Sequence, residues 1–121
     1  MQKTNVSKIR AAVIQAGSVL MDQQASLEKA EQLIREAAKE KARLIVFPEA
    51  FLPGYPRGLG FGTVVGSRSK SGRELFARYH ASAVEIPSEA TTRLSKAAKA
   101  TGVYLAMGIV ERDADFSKGT L

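Results

Sequence analysis

The sequence contains no cysteine, which removes disulfides, thiolate metal ligands and cysteine nucleophiles from the chemistry of this chain. It also has a single histidine, His80, so a metal site built from several histidines is excluded. No apolar run approaches the ~20 residues that a membrane-spanning helix needs, and the first residues do not resemble a secretory signal. We therefore expect a cytoplasmic protein that has no membrane partner.

The composition is that of one globular domain. The chain has 121 residues, of which 45% are hydrophobic and 25% charged. The net charge is +6, and residues 1–60 and 61–121 each hold nine Lys or Arg and six Asp or Glu. Basic residues cluster only at Arg68, Lys70 and Arg73, in a stretch without aromatic residues, so we expect no nucleic-acid partner.

Two buried strands and a helix between them are predicted in the first part of the chain. Residues 8–16 (KIRAAVIQA) and 43–47 (RLIVF) are apolar runs typical of strands covered on both faces. Between them Asp22 can cap an amphipathic helix over about residues 23–41. This order predicts a βαβ unit with two parallel strands.

Two further helices and a third strand are predicted in the second half. Ser71 can cap a helix over about residues 72–82, and Ser88 can cap another that ends at Gly102. Residues 103–110 (VYLAMGIV) follow as a third buried strand. The fold class is therefore α/β. Three central strands without outer partners would leave long bare edges, so we expect a truncated sheet.

Glu49 is the strongest candidate for a functional residue. It lies two residues after the second strand, at the start of a long loop over residues 48–70. Ligands of open α/β sheets bind beyond the carboxyl ends of the strands. Apolar neighbours, among them Phe47 and Phe51, are expected to exclude water from the carboxylate and suit it to proton transfer near neutral pH. The alternative is an exposed loop glutamate, or one that pairs with an arginine or caps a helix.

Other candidates have simpler explanations. Residues 58–62 (GLGFG) resemble a dinucleotide-binding loop, but the third glycine comes one residue too early and no helix opens there. Tyr55 and Arg57 could contact a ligand, yet a turn with a half-buried ring explains them equally well.

Three ring-bearing residues on the predicted helices and strands need no function. His80 is expected to pack or to make one hydrogen bond on a helix, because no orienting acid is identifiable by spacing. Tyr79 and Tyr104 fall on predicted core faces.

Three stretches of the sequence together resemble a known family. They are LIVFPEAFLPGYPRG (44–58), RYHASAVEIP (78–87) and GVYLAMGIVERD (102–113). They are similar to the amino-terminal part of the nitrilase family, within the carbon-nitrogen hydrolase superfamily, and the likeness runs from about Lys8 to Asp113. The GYPRG and YHASA stretches resemble nitrilases more than amidases.

This resemblance implies a partial four-layer α-β-β-α sandwich, with residues 8–121 as the amino-terminal part of the domain and residues 1–7 as a flexible terminus. It also implies a Glu-Lys-Cys catalytic set in which Glu49 is the general base. Tyr55 would line the substrate pocket. The implied substrate is an organic nitrile, no cofactor or metal is implied, and the full-length protein would be a homo-oligomer, either a dimer or a spiral.

The sequence departs from the family because the catalytic lysine and cysteine are missing. Lys118 lies in the wrong kind of segment to be that lysine, so the chain alone is expected to be inactive and to be part of a longer nitrilase. The alternatives are a fragment of a superfamily amidase or of a cyanide-converting enzyme. A non-catalytic short protein that binds a partner through its open sheet edge is a further alternative.

Overall fold

The computed structural model describes residues 7–64, 67–117 and 120–121. The elements in chain order are β1 (Ala11–Val13), α1 (Gln23–Lys39), β2 (Leu44–Val46), β3 (Thr63–Val64), β4 (Ser67–Arg68), α2 (Lys70–Ser82), α3 (Glu89–Thr101) and β5 (Tyr104–Ala106). Most of the terminus expected to be flexible, and Lys118, lie outside the described residues.

The predicted βαβ unit is confirmed. Strands β1 and β2 are parallel and joined through α1, and β5 pairs in parallel with the other side of β2, so the order is β1-β2-β5. In the central row of this sheet Ala12 lies beside Ile45, which lies beside Leu105. The regular strands have three residues each and are shorter than predicted. Beyond β5 the chain continues through isolated parallel bridges.

The helix ends follow capping chemistry, with one correction. The Asp22 side chain accepts a hydrogen bond from Ala25 N at the start of α1, Ser88 caps α3, and Gly102 ends α3 with a left-handed φ of 67°. The cap of α2 is Ser69, not the predicted Ser71. Ser69 has extended backbone angles and its Oγ accepts from the backbone N of the residue three positions later, so the helix begins two residues earlier.

Helices α1 and α3 cover one face of the sheet. The core beneath them is centred on Ile45, which is fully buried. The helices contribute the buried residues Leu27, Ala30, Ile34, Ala90 and Leu94. Arg93 of α3 donates two hydrogen bonds of 2.8 Å to the two carboxylate oxygens of Glu31 in α1, so a bidentate ion pair joins the two helices.

The other face of the sheet is open among the described residues, which corrects the prediction of strands covered on both faces. Val13 is 79% exposed and Tyr104 is 75% exposed, so Tyr104 does not lie on a core face as predicted. The reason is the two-residue alternation of strands: Ala12, Ile45 and Leu105 point to the helices, and their neighbours point away. We name the side that bears Val13 and Tyr104 the open face.

The long loop predicted after β2 is only partly irregular. Strands β3 and β4 pair as a short antiparallel hairpin inside it, with Thr63 opposite Arg68. Residues 65–66 are outside the described residues. In the part of the chain that the structure describes, no helix has the length and apolar composition that a membrane crossing requires.

The ion pair between α1 and α3 predicts a loss of stability in acid. The hydrogen bonds from Arg93 hold the pKa of Glu31 below its ordinary value, against the opposing effect of burial. A carboxyl group with a lowered pKa in the folded state stabilises the protein above its unfolded pKa. This contribution is lost as the pH falls through the folded-state pKa.

Glu31→Gln in the full-length protein should therefore reduce the midpoint denaturant concentration at neutral pH and flatten its decline below pH ~4. The matched control is Glu36→Gln, an exposed glutamate on the same helix. Urea unfolding at a series of pH values measures both. Equal pH profiles for wild type and Glu31→Gln would contradict the expectation.

Candidate active site

The segment that carries Glu49 is held against the chain that continues β5. Phe47 N donates to Ala106 O at 2.9 Å, and Leu52 N donates to Gly108 O at 3.2 Å. On the far side of the segment, Val110 N donates to Leu52 O at 2.8 Å. Glu49 therefore lies between two attachment points, a short way beyond the carboxyl end of β2 at Val46.

The carboxylate is not covered by its apolar neighbours, contrary to expectation. Glu49 is exposed, whereas Phe47 and Phe51 are both buried. Their rings meet edge to face with centroids 5.0 Å apart, so the two aromatic residues pack with each other in the core. Any exclusion of water from Glu49 has to come from atoms outside the described residues.

Glu49 and Tyr55, the two residues singled out from the sequence, line one cleft. The cleft has a volume of about 340 Å³. Its lining residues are Ala16, Gly17, Ser18, Leu20, Pro48, Glu49, Phe51 and Tyr55. They come from the loop after β1 and the loop after β2, at the carboxyl ends of neighbouring parallel strands. This is the position at which open α/β sheets bind ligands.

Gly54 joins the two loops of the cleft. Its φ is 120°, and a Cβ there would lie 2.8 Å from Ser18 Oγ and 2.9 Å from Leu20 Cδ1. Met21 N also donates to Pro53 O at 3.0 Å. Glycine is required here both by the backbone angle and by the close approach.

Tyr79 supports the cleft from α2, a role that the sequence did not indicate. It is buried, as predicted, and its hydroxyl donates to Gly54 O at 3.1 Å. Burial raises the pKa of the Tyr79 hydroxyl, with a smaller contribution from nearby Tyr55. Tyr55 itself is 58% exposed, so its ring remains available to a ligand. Tyr79 therefore anchors the residue that precedes Tyr55.

Tyr79→Phe in the full-length protein tests this anchor. The change leaves the Gly54 carbonyl without its hydrogen bond, which should cost about 1–3 kcal/mol of the free energy of unfolding. Denaturant unfolding of Tyr79→Phe beside the wild type measures this loss. Unchanged stability would refute the anchoring role.

The weaker candidates do not line this cleft. His80 packs near Phe76, with ring centroids 6.2 Å apart, and its Nε2 is buried without a hydrogen-bond partner among the described residues. Arg57 is exposed, and its backbone N donates to Tyr55 O in a turn. Gly58 and Gly62 have positive φ, and α2 begins only at Lys70, so this stretch is a set of turns. No group of three possible metal-ligating side chains occurs in the described ranges.

The comparison with protein families agrees with this geometry. The family model described as carbon-nitrogen hydrolase matches residues 10–121. The chain therefore belongs to the carbon-nitrogen hydrolase family, and its helices and parallel sheet are an α/β part of that domain. The fold class and the family expected from the sequence are both confirmed.

Several curated relatives are nitrilases. A bifunctional nitrilase/nitrile hydratase of Nicotiana tabacum is 50% identical over 105 residues, which cover 87% of this chain and 30% of the relative. An aliphatic nitrilase of Sinorhizobium fredii is 47% identical, over 89% of this chain and 35% of the relative. Nitrilase 2 of Arabidopsis thaliana is 47% identical, over 87% of this chain and 31% of the relative. The chain thus spans about a third of the length of these relatives and corresponds to an amino-terminal nitrilase portion.

Proposed function

We propose that this chain is part of a nitrilase that hydrolyses an organic nitrile to a carboxylic acid and ammonia, and that Glu49 is its general base. The observation that carries the proposal is the position of Glu49. It lies on a cleft at the carboxyl ends of β1 and β2, in a chain 50% identical to a protein named as a nitrilase. Tyr55 lies on the same cleft and would contact the substrate.

Glu49 would move protons in both halves of the reaction. In the first half, its carboxylate takes the proton of a cysteine thiol, and the sulfur forms a bond to the nitrile carbon as one carbon–nitrogen π bond breaks. A lysine stabilises the charge that develops on nitrogen, and Glu49 passes its proton to that nitrogen. Water then adds to the carbon and its two protons reach the nitrogen, so that the last carbon–nitrogen bond breaks, ammonia departs and a thioester remains. In the second half Glu49 deprotonates another water, which attacks the thioester. The carbon–sulfur bond breaks, the acid is released, and the proton on Glu49 returns to the sulfur. The lysine and the cysteine would come from the rest of the enzyme.

The open face supports the placement of this chain in a larger domain. An exposed apolar surface on a sheet is normally buried against another layer, and Val13 and Tyr104 form such a surface. A second sheet packed on it would give the four-layer sandwich and would lie beside the cleft that contains Glu49. Water could then be excluded from the carboxylate by residues of that second layer.

The proposal is tested by the products that the purified full-length protein forms from nitriles, from the matching amides and from cyanide. A nitrilase releases acid and ammonia from the nitrile in equal amounts. Hydrolysis of amides alone would favour the amidase alternative, and turnover of cyanide alone would favour the cyanide-converting alternative. The amide-to-acid ratio also tests nitrile hydration, because the Nicotiana relative is named for both activities.

A non-catalytic role is the second candidate, and the observation that favours it is that β1 and β5 are edge strands of the sheet among the described residues. A natural short protein could bind a partner at such an edge by strand addition. The intact mass of the polypeptide from its native source separates the two candidates. A mass well above 13.0 kDa supports the nitrilase, and a mass of 13.0 kDa supports the binding protein. Light scattering of the full-length protein tests the proposed homo-oligomer.

A further inference from the structure

Gly108 approaches the backbone of the Glu49 segment more closely than any other residue type could. A Cβ at Gly108 would overlap the carbonyl oxygen of Pro48. It would also lie 2.8 Å from both Ala50 N and Glu49 Cα. Ordinary contacts between heavy atoms are about 3.5–4.0 Å. A side chain at this position would therefore push the Glu49 backbone outward by about 1 Å.

The requirement for glycine here is steric and does not come from the backbone angles. The positive-φ glycines of the described residues are Gly54, Gly58, Gly62 and Gly102. Gly108 is not among them, so alanine could adopt its backbone angles. The three atoms nearest to a Cβ at Gly108 all belong to the neighbouring segment that carries Glu49.

That segment has little freedom to yield. It is fixed before Glu49 by the hydrogen bond from Phe47 to the backbone of β5 and after Glu49 by the bond from Leu52 to Gly108 O. Between these points Ala50 has a φ of 50°, a left-handed conformation that is uncommon for alanine. A displacement would therefore be concentrated on the residues between the two attachments, and Glu49 is one of them.

We infer that Gly108 is a positioning residue that sets the distance of the Glu49 carboxylate from the reacting atoms. The inference rests on the proposed role of Glu49 as general base. A catalytic group misplaced by about 1 Å can lower a rate by about 10²-fold. Ser18 and Tyr55 line the cleft and contribute none of the three atoms nearest to a Cβ at Gly108, so the loss should fall on kcat and leave KM nearly unchanged.

The experiment compares Gly108→Ala with Gly60→Ala in the full-length enzyme, with kcat and KM measured for one nitrile that it hydrolyses. Gly60 is the matched control because a Cβ there has nothing within 4 Å and its φ is not positive. We expect kcat to fall about 10²-fold in Gly108→Ala, with KM within about twofold, and to remain at the wild-type level in Gly60→Ala. Equal kcat in Gly108→Ala and wild type would overturn the inference.

Two further variants show whether Gly108→Ala acts by displacing the Glu49 carboxylate or by damaging the fold in general. They are Glu49→Asp and the double variant of Gly108→Ala with Glu49→Gln. Glu49→Asp draws the carboxylate back without adding atoms, and wild-type kcat in this variant would show that the carboxylate position is unimportant. Gly108→Ala should cause no further loss when added to Glu49→Gln, whereas an independent structural defect would add its own loss.

Folding of each variant is followed by its thermal transition. If Gly108→Ala does not fold, the close approach serves assembly of the domain and the inference is overturned. If Glu49→Gln keeps full activity, the proposal that Glu49 is the general base is refuted. If Glu49→Gln is inactive and Gly108→Ala is fully active, only the inference that Gly108 positions Glu49 is refuted.

Discussion

Glu49→Gln in the full-length protein is expected to lower kcat by about 10²–10⁴-fold, the contribution of a well-placed general acid or base. Glutamine keeps the size of the side chain and its ability to accept a hydrogen bond, but it cannot take a proton from a thiol or from water. Both halves of the proposed reaction would slow. Release of ammonia and formation of the acid should slow together, since the first proton transfer precedes both.

Folding should be retained in Glu49→Gln, because glutamine has the size of glutamate and places no new charge in the layer proposed to cover this residue. The thermal transition of the variant checks this. Glu28→Gln, at an exposed position on α1, is the control for removing one negative charge. Activity retained by Glu49→Gln would reject Glu49 as the base, and activity lost equally in Glu28→Gln would attribute the effect to overall charge.

Val13→Asp in the full-length protein is expected to reduce the free energy of unfolding by about 3–5 kcal/mol. Val13 is exposed in the described residues, but a second sheet on the open face would bury it. The aspartate would then be an unpaired charge in an apolar layer, and the valine's contribution of about 1.5–3 kcal/mol from burial would be lost as well.

Ala100→Asp is the comparison for this experiment, since Ala100 is exposed at the end of α3. It should cost only a few tenths of a kcal/mol, from an acidic group near a helix carboxyl end. Urea unfolding of both variants gives the two costs. If Val13→Asp proves as mild as Ala100→Asp, the open face is not covered, and the non-catalytic binding protein becomes the better explanation.

Local signals in the sequence predicted the helices and the parallel order of the strands. The caps at Asp22, Ser88 and Gly102 could be identified because capping depends on a few adjacent residues. The choice between Ser69 and Ser71 could not be made this way, since both are serines followed by a helical pattern. The backbone angles at the two serines decide between them, and these angles cannot be predicted from the sequence.

Contacts between distant parts of the chain account for what the sequence did not indicate. In the sequence, Tyr104 stands among apolar residues, as a core residue would. Only the register of β5 against β2 shows that its side chain points to the face of the sheet away from the helices. Glu49 was identifiable from its place after a strand. The support of Tyr79 for Gly54 and the approach of Gly108 to Pro48 depend on through-space pairing that no periodicity encodes.

The open face has a consequence for biosynthesis. A ribosome adds about 5–20 residues per second. In the proposed nitrilase, at the length of the Nicotiana relative, the remaining two-thirds of the chain would take on the order of tens of seconds to emerge. During that time the ring of Tyr104 and its apolar neighbours would have no covering layer supplied by their own chain, and newly made chains on adjacent ribosomes would be able to adhere through these surfaces. Expression yield should therefore rise at low temperature or with added chaperones, which slow or block such encounters.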